Sequence, residues 1–431
     1  MTKIKLLHLH TPQGLAGELH REAGFVFNYT TGERNRELAL GMPIRANSYA
    51  SRVLPPILEM NRPEGFLRNY LDQLLKHVGV DEMRLLLVAG AHAIGRVSAR
   101  QPGQEDGQVK GRSLKDLLSS GHSEDLFRDL LDAYAATSGV SGVQPKVLVP
   151  MAERMTVPQS ELIVKSAGTY EFLTQNEFLC MDAARRAKID VPGFHLSADG
   201  GLFIMERFDR VARPSAAGEA ANLHSLGFED MVVVMNKRPS GKYEGSYENI
   251  AKAIRIYCPV TASESLRALF EYLVLSIMVR NGDAHLKNFG LLYDTPSQGD
   301  TVRLAPLYDV VTTAAYDFLP GSGVTDNTMA LKLGGDRRYP SRETLIRFGK
   351  EKCLVADAEK VIDRVAQAVE DSWKANRSML GDSFAQKVRK AWDDGLLLAR
   401  PAGKVISGHS LATQEDLNAE NDSDDAAAPR G

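Results

Sequence analysis

The chain has 431 residues, 43% of them hydrophobic and 25% charged, enough for two or three cores. Its net charge is −3, and six acids against Arg430 in the last twenty residues leave a near-neutral body, which argues against strong DNA binding by the chain alone. Three scattered cysteines, an N-terminus without an apolar signal region and no apolar run longer than Tyr272 to Val279 set the expectation of a reduced, cytoplasmic protein with no membrane contact.

Residues 1–110 read as a mixed α/β module. Gly24 to Tyr29 alternates like a half-buried strand, and Thr30-Thr31-Gly32 turns it. Phe66, Leu67, Tyr70, Leu71, Leu74 and Leu75 predict a helix over Gly65 to His77. Leu85 to Val97 is a further apolar stretch, and Gln101 to Gly111 suits a linker. No catalytic chemistry is visible in this module, so docking is its expected role.

Residues 130–255 suit a nucleotide-binding lobe. Ser138-Gly139-Val140-Ser141-Gly142-Val143-Gln144 is a small-residue loop running through Pro145 into a strand from Lys146 to Val149. Glycines let backbone N–H groups approach phosphate oxygens, and a lysine at the loop's exit adds charge, although ordinary strand connections share the pattern. Leu162 to Lys165 is a strand ending in a lysine. The helix after it carries Phe172, Leu173, Glu177, Cys180, Met181 and Ala184 on one face, with Pro192 beyond its end. A strand lysine on the phosphates, partnered by a helix glutamate, belongs to kinase chemistry. A surface lysine and a helix-face acid are the plainer alternatives. Gly201 to Phe208 is another strand, and its end suits a hinge against adenine.

Residues 256–410 read as a helical catalytic lobe. Thr261-Ala262-Ser263-Glu264 predicts a capping box opening a helix that turns apolar all round and ends at Arg280. Then come Asn281-Gly282-Asp283-Ala284-His285-Leu286-Lys287-Asn288, a strand from Phe289 to Tyr293, and Leu307-Tyr308-Asp309-Val310. Asp283, Asn288 five residues on and Asp309 after 21 more form the set that phosphoryl transfer with a magnesium nucleotide needs. One carboxylate orients or deprotonates the attacking hydroxyl, while an amide oxygen and a second carboxylate hold the metal. A lone Asp-x4-Asn would equally suit a polar turn. Val310 to Asn327 reads as an ordinary glycine-rich loop or, in a kinase, would correspond to an activation segment; Met329 to Leu333 resumes strand character, and helices dominate the remainder. Residues 411–431 read as a disordered acidic tail.

With these residues in view, the chain resembles the HipA family of toxin kinases. The resemblance rests on Gly142 to Lys146, Asn176-Glu177-Phe178, Glu206 to Arg210, Asp283 to Asn288 and Leu307-Tyr308-Asp309, with Leu54-Pro55-Pro56 to Pro63-Glu64-Gly65 in the N-terminal module. It implies an α+β, protein-kinase-like fold with a small N-terminal α/β module and a largely helical C-terminal lobe. It implies Asp283 as catalytic base, magnesium on Asn288 and Asp309, and ATP phosphates on Lys165 and the Ser141 to Lys146 loop. Glu206, Arg207 and Phe208 would form the adenine hinge, with His285, Leu286, Lys287 and Tyr308 in nucleotide-contacting stretches and Glu177 as partner of Lys165.

The resemblance further implies a serine or threonine protein substrate, typically an aminoacyl-tRNA synthetase. A HipB-like helix-turn-helix antitoxin would restrain the kinase and alone bring it to DNA. Family members also phosphorylate a serine in their phosphate loop. Here Gly139 stands at that position, so Ser138 or Ser141 would serve, with Ser138 favoured. Two other readings stay open. The Asp283 to Asn288 loop also resembles that of aminoglycoside-phosphotransferase-type small-molecule kinases, and a non-catalytic nucleotide-gated binding module is the third.

Overall fold

In strand β1 (Leu6–Thr11), Leu7, Leu9 and Thr11 are buried while the residues between them are half-exposed, the period-two pattern of a sheet with one covered face. The computed structural model describes residues 3–76, 80–104, 111–135, 144–151, 161–213, 222–317 and 325–399. Strands β1, β2 (Gly14–Arg21), β3 (Phe25–Tyr29), β4 (Tyr49–Ser51) and β5 (Ser98–Arg100) form an antiparallel sheet in the order β4-β3-β2-β1-β5. Helices α1 (Pro56–Glu59), α2 (Gly65–Leu74) and α3 (Glu82–Ala89) lie between its last two strands. Helix α2 stops at Leu74, short of the predicted His77, because the chain turns at Leu75 and Lys76.

Helices α4 (Leu114–Leu118) and α5 (Ser123–Tyr134) lead into an antiparallel sheet of β6 (Lys146–Pro150), β7 (Glu161–Ser166), β8 (Phe194–Leu196) and β9 (Leu202–Glu206), ordered β6-β7-β9-β8. Helix α6 (Leu173–Arg186) connects β7 to β8. A two-stranded ribbon follows, β10 (Arg210–Arg213) with β11 (Asn222–Ser225). Strand β12 (Gly227–Asp230) pairs with β13 (Gly290–Tyr293), which pairs with β14 (Arg303–Leu304). This pairing crosses the expected lobe boundary at 255/256, with β12 finding its hydrogen bonds in β13. The helices of that lobe are α7 (Met231–Val234), α8 (Tyr247–Tyr257), α9 (Ala262–Met278), α10 (Arg342–Arg347), α11 (Ala358–Asn376) and α12 (Asp382–Ala399). The fold is therefore mixed α+β, as expected.

Two local expectations fail. Thr261 makes no capping box, because its hydroxyl donates to Val302 O at 2.5 Å. The capping box in this lobe is Ser246 with Asn249, opening α8. Met329 to Leu333 forms no strand and pairs only through isolated bridges at Lys332 and Leu333.

The N-terminal module is not a detached domain. Leu67 and Leu71 of α2 join the core of the nucleotide lobe, while the module's own sheet shares a core with Leu226, Phe228, Val233 and Leu292. Residues 1–399 consequently form one compact unit. Among the described residues, no helix is long and apolar enough to cross a membrane.

Candidate active site

Helix α9 is buried along almost its whole length and hands the chain to Arg280, whose φ of 54° turns it out of the helix. The loop beyond is held at several points. Asn281 Oδ1 accepts from the Asp283 N–H at 3.1 Å, and Gly282 N–H donates to Thr313 Oγ1 at 2.7 Å. Gly282 has no room for a side chain, since a β-carbon there would stand 2.7 Å from Thr328 O. Tyr247 and Tyr308 hydroxyls donate to the carbonyls of Ala284 and Lys287 at 3.0 and 2.7 Å. Asp283 is thereby presented at the mouth of a cleft, half-exposed, with Oδ1 accepting from the Tyr243 hydroxyl at 2.8 Å. The surrounding protein raises its carboxyl above the usual range, against the opposing Tyr243 hydrogen bond.

Across the cleft, Lys146 and Lys165 are direct register partners on β6 and β7, so both project from one face of the sheet. Lys165 Nζ donates to Glu177 Oε1 of α6 at 2.5 Å and to Asp309 Oδ1 at 2.7 Å. Burial pushes the Lys165 ammonium down, but these two carboxylates outweigh it and hold it above its usual range. Burial likewise opposes ionisation of Asp309, and Lys165 with Lys146 hold that carboxyl well below the usual range. Asn288 Nδ2 donates to Asp309 Oδ2 at 3.2 Å, while the buried Asn288 Oδ1 has no hydrogen-bond partner.

An ionised carboxylate beside an unsatisfied amide oxygen is a hard-oxygen donor pair of the kind Mg²⁺ takes from protein while phosphate oxygens and water complete its shell. The residues present therefore fit a magnesium nucleotide.

The segment after Asp309 is fixed by a residue whose role the sequence reading did not find. Asn176 accepts from Thr312 N–H at 3.0 Å and donates to Thr312 O at 3.2 Å, one helical position before Glu177. Trp392 Nε1 of α12 donates to Thr312 Oγ1 at 2.7 Å. Helix α6 of the nucleotide lobe, α12 and the Gly282 loop thus converge on Thr312 and Thr313.

The cleft encloses about 550 Å³, and Gln144, Lys146, Lys165, Arg207, Phe208, Asp283, His285, Lys287, Tyr308 and Asp309 all line it. So do Met60, Asn61, Glu64 and Ile94 of the N-terminal module, which was expected only to dock. Lys287 Nζ lies 3.3 Å from Glu64 Oε1. His285 is lowered to about 3 by burial, with Lys242 adding to it, so the imidazole is neutral at neutral pH.

The remaining expected residues sit elsewhere. Pro145 packs over Gly168, Leu286 is buried beneath the loop, and the Glu206 carboxylate lies over Gly193. Ser138, Ser141, Gly142 and Val143 lie outside the described residues. The backbone N–H groups of Glu206 and Arg207 donate to Gly193 O and Glu161 O, which leaves neither free to meet a ligand. The Arg207 side chain is a tether. Its guanidinium is wholly buried, bonded to both oxygens of Asp209, to Glu161, and to the carbonyls of His92 and Ala93.

The chain is similar to known proteins in both of its parts. The HipA N-terminal domain matches residues 7–100, and the HipA-like C-terminal domain matches residues 138–373. A Sinorhizobium fredii protein named "Putative kinase Y4mE" is 27% identical over 73% of this chain and 76% of its own length. A second from that organism, "Putative kinase Y4dM", is 25% identical over 82% of this chain and 88% of its own. In fold, the chain is similar to one in the Shewanella oneidensis MR-1 complex of the toxin–antitoxin system HipA, HipB and operator DNA. The TM-score is 0.66 at 19% identity, covering 91% of this chain and 96% of that one. With both domains matched in order and the second spanning more than half its length, the chain belongs to the HipA family.

Proposed function

We propose that the chain is an ATP- and magnesium-dependent serine/threonine protein kinase, the toxin of a HipA/HipB-like pair. One observation carries the reading: Lys165, Asp283 and Asp309 line a single cleft, and Asn288 is hydrogen-bonded to Asp309 at its wall. A binding module needs no such set. Asp283 is the base, taking the proton of an acceptor hydroxyl as its oxygen attacks phosphorus. Lys165, kept charged and held by Glu177, steadies the phosphates of ATP, and Lys146 and Lys287 add positive charge around them. Asn288 and Asp309 would hold magnesium, which neutralises phosphate charge when bound. Phe208, Tyr308 and Ile94 offer apolar walls to the base.

Family membership supports the rest of the reading. The acceptor is a translation factor such as an aminoacyl-tRNA synthetase, and a HipB-like antitoxin restrains the kinase and carries it to DNA. Phosphorylation of Ser138 or Ser141, Ser138 preferred, would place charge in the phosphate loop and oppose nucleotide binding.

The test is transfer from labelled ATP with magnesium, comparing the native protein with Asp283→Asn, alone and with a cell lysate. A labelled lysate protein, lost with Asp283→Asn, is the expected result. Magnesium-dependent ATP binding without any protein labelling would overturn the protein-kinase reading in favour of a small-molecule acceptor or a nucleotide-gated module.

A further inference from the structure

A general base acts on a hydroxyl within hydrogen-bond reach, and Asp283 already has one there. Tyr243 Oη donates to Asp283 Oδ1 across 2.8 Å. The ring packs edge-on against His285, centroids 5.2 Å apart, and the residue is 39% exposed. Its backbone is fixed as well. Arg337 donates to the Tyr243 carbonyl at 2.6 Å, and the preceding residue, Lys242, lines the cleft with its ammonium 4.9 Å from the Tyr243 ring centre.

The geometry points to Tyr243 as an intramolecular phosphoryl acceptor, an inference that rests on the kinase reading of this cleft and adds one tethered tyrosine to its serine and threonine acceptors. The bond between the terminal phosphorus of a nucleoside triphosphate and its bridging oxygen breaks, and a bond from phosphorus to Tyr243 Oη forms. The phenolic proton passes to Asp283, and the nucleoside diphosphate leaves with the electron pair of the broken bond. Burial and the Asp283 charge push the phenol's pKa up, so the transfer needs that base. Tethering supplies what recognition supplies for a foreign acceptor, because a group held beside the base reacts as though it were highly concentrated. The product sets a phosphate beside Lys242 and against Asp283, where it keeps another hydroxyl from that carboxylate.

The experiment incubates the full-length protein with magnesium and ATP, maps phosphate by peptide mass spectrometry, and follows labelling of lysate protein in the same reactions. Phosphate on Tyr243, absent with Asp283→Asn and replaced by no signal at that peptide in Tyr243→Phe, with a rate per chain independent of protein concentration, is expected. Labelled lysate protein or a labelled serine, with Tyr243 unmodified, would overturn this inference and leave the kinase reading intact. A rate per chain that climbs with protein concentration would overturn the intramolecular route. Absence of transfer to any acceptor would overturn both.

Discussion

Lys165 holds Glu177 and Asp309 at once, its ammonium 2.5 Å from the helix carboxylate and 2.7 Å from the cleft carboxylate. The two contacts differ in kind. Glu177 is fully buried and Lys165 nearly so, whereas Asp309 is about a third exposed and faces the cleft. The first fixes the lysine; the second is available to be exchanged for phosphate oxygens.

Lys165→Met should therefore lower both transfer and stability. It strands a buried Glu177, at a cost of about 3–5 kcal/mol. Lys165→Met combined with Glu177→Met should recover stability but no transfer, because the apolar pair removes the stranded charge without restoring a phosphate ligand. Denaturation midpoints and initial rates on the same preparations check it. Equal destabilisation in the single and double variants would show that Glu177 is not held by Lys165.

Arg207 ties the nucleotide lobe to the turn at His92 to Gly95, and Asp209 Oδ2 receives the Gly95 N–H at 2.7 Å. Arg207→Ala should lose stability, since it leaves the buried Asp209 with Arg210 and the Gly95 N–H, and Glu161 with His92 and the more distant Arg210, in place of the bidentate guanidinium. Arg207→Lys should also lose stability, since an ammonium cannot span the planar fork of contacts. Hydrogen exchange at the Gly95 amide gives the local readout. Unchanged protection there in Arg207→Ala would remove the tether from the account.

Gly395 of α12 touches the end of α9 so closely that a β-carbon would stand 2.1 Å from the Met278 carbonyl oxygen. Gly395→Ala has to push the helices apart two residues before Arg280, where α9 delivers the catalytic loop. Overpacking of this kind costs about 1–3 kcal/mol, and thermal unfolding measures it. Because the same strain reaches the Asp283 loop, transfer rate should fall along with stability. A fully active variant would mean that α9 absorbs the shift before Arg280.

The clustering of Asp283, Asn288 and Asp309 was legible because their spacing is local: Asp283 and Asn288 share one loop, and the strand Gly290–Tyr293 returns the chain toward Asp309. The Lys165–Glu177 contact was legible as a lysine at a strand's end followed by a lone acid on an apolar helix face. The tether made by the Arg207 side chain was not legible. A charged strand exit looks solvated, and nothing in Glu206-Arg207-Phe208 reveals that His92 and Ala93, more than a hundred residues earlier, wait to accept its hydrogen bonds. Met60, Asn61, Glu64 and Ile94 were missed as cleft residues because long-range packing, with no local pattern, brings them there. At Thr261 the capping-box pattern was present and tertiary structure overrode it, offering Val302 O to the hydroxyl instead.

Glu229 gives the fold a predictable pH dependence. Its carboxyl is buried where β12 meets the N-terminal module, accepting from Leu40 N–H at 2.7 Å and the Tyr293 hydroxyl at 2.5 Å, and burial raises its pKa from 4.5 to about 7. The folded protein thus keeps a proton that the unfolded chain releases near 4.5. The stabilisation is fully present below that pH and is lost as pH rises through about 7, a change of about 3 kcal/mol at 1.36 kcal/mol per unit. The neighbouring Asp230, raised to about 6 by burial, acts in the same direction. Glu229→Gln retains an oxygen for Leu40 and has no proton to release, so its unfolding free energy should fall less steeply than that of the native protein across this window. Urea denaturation of both proteins at about pH 5 and about pH 8 measures the difference. A gap between them that stays constant with pH would mean that Glu229 ionises as an ordinary carboxylate and that the module's seam carries no proton.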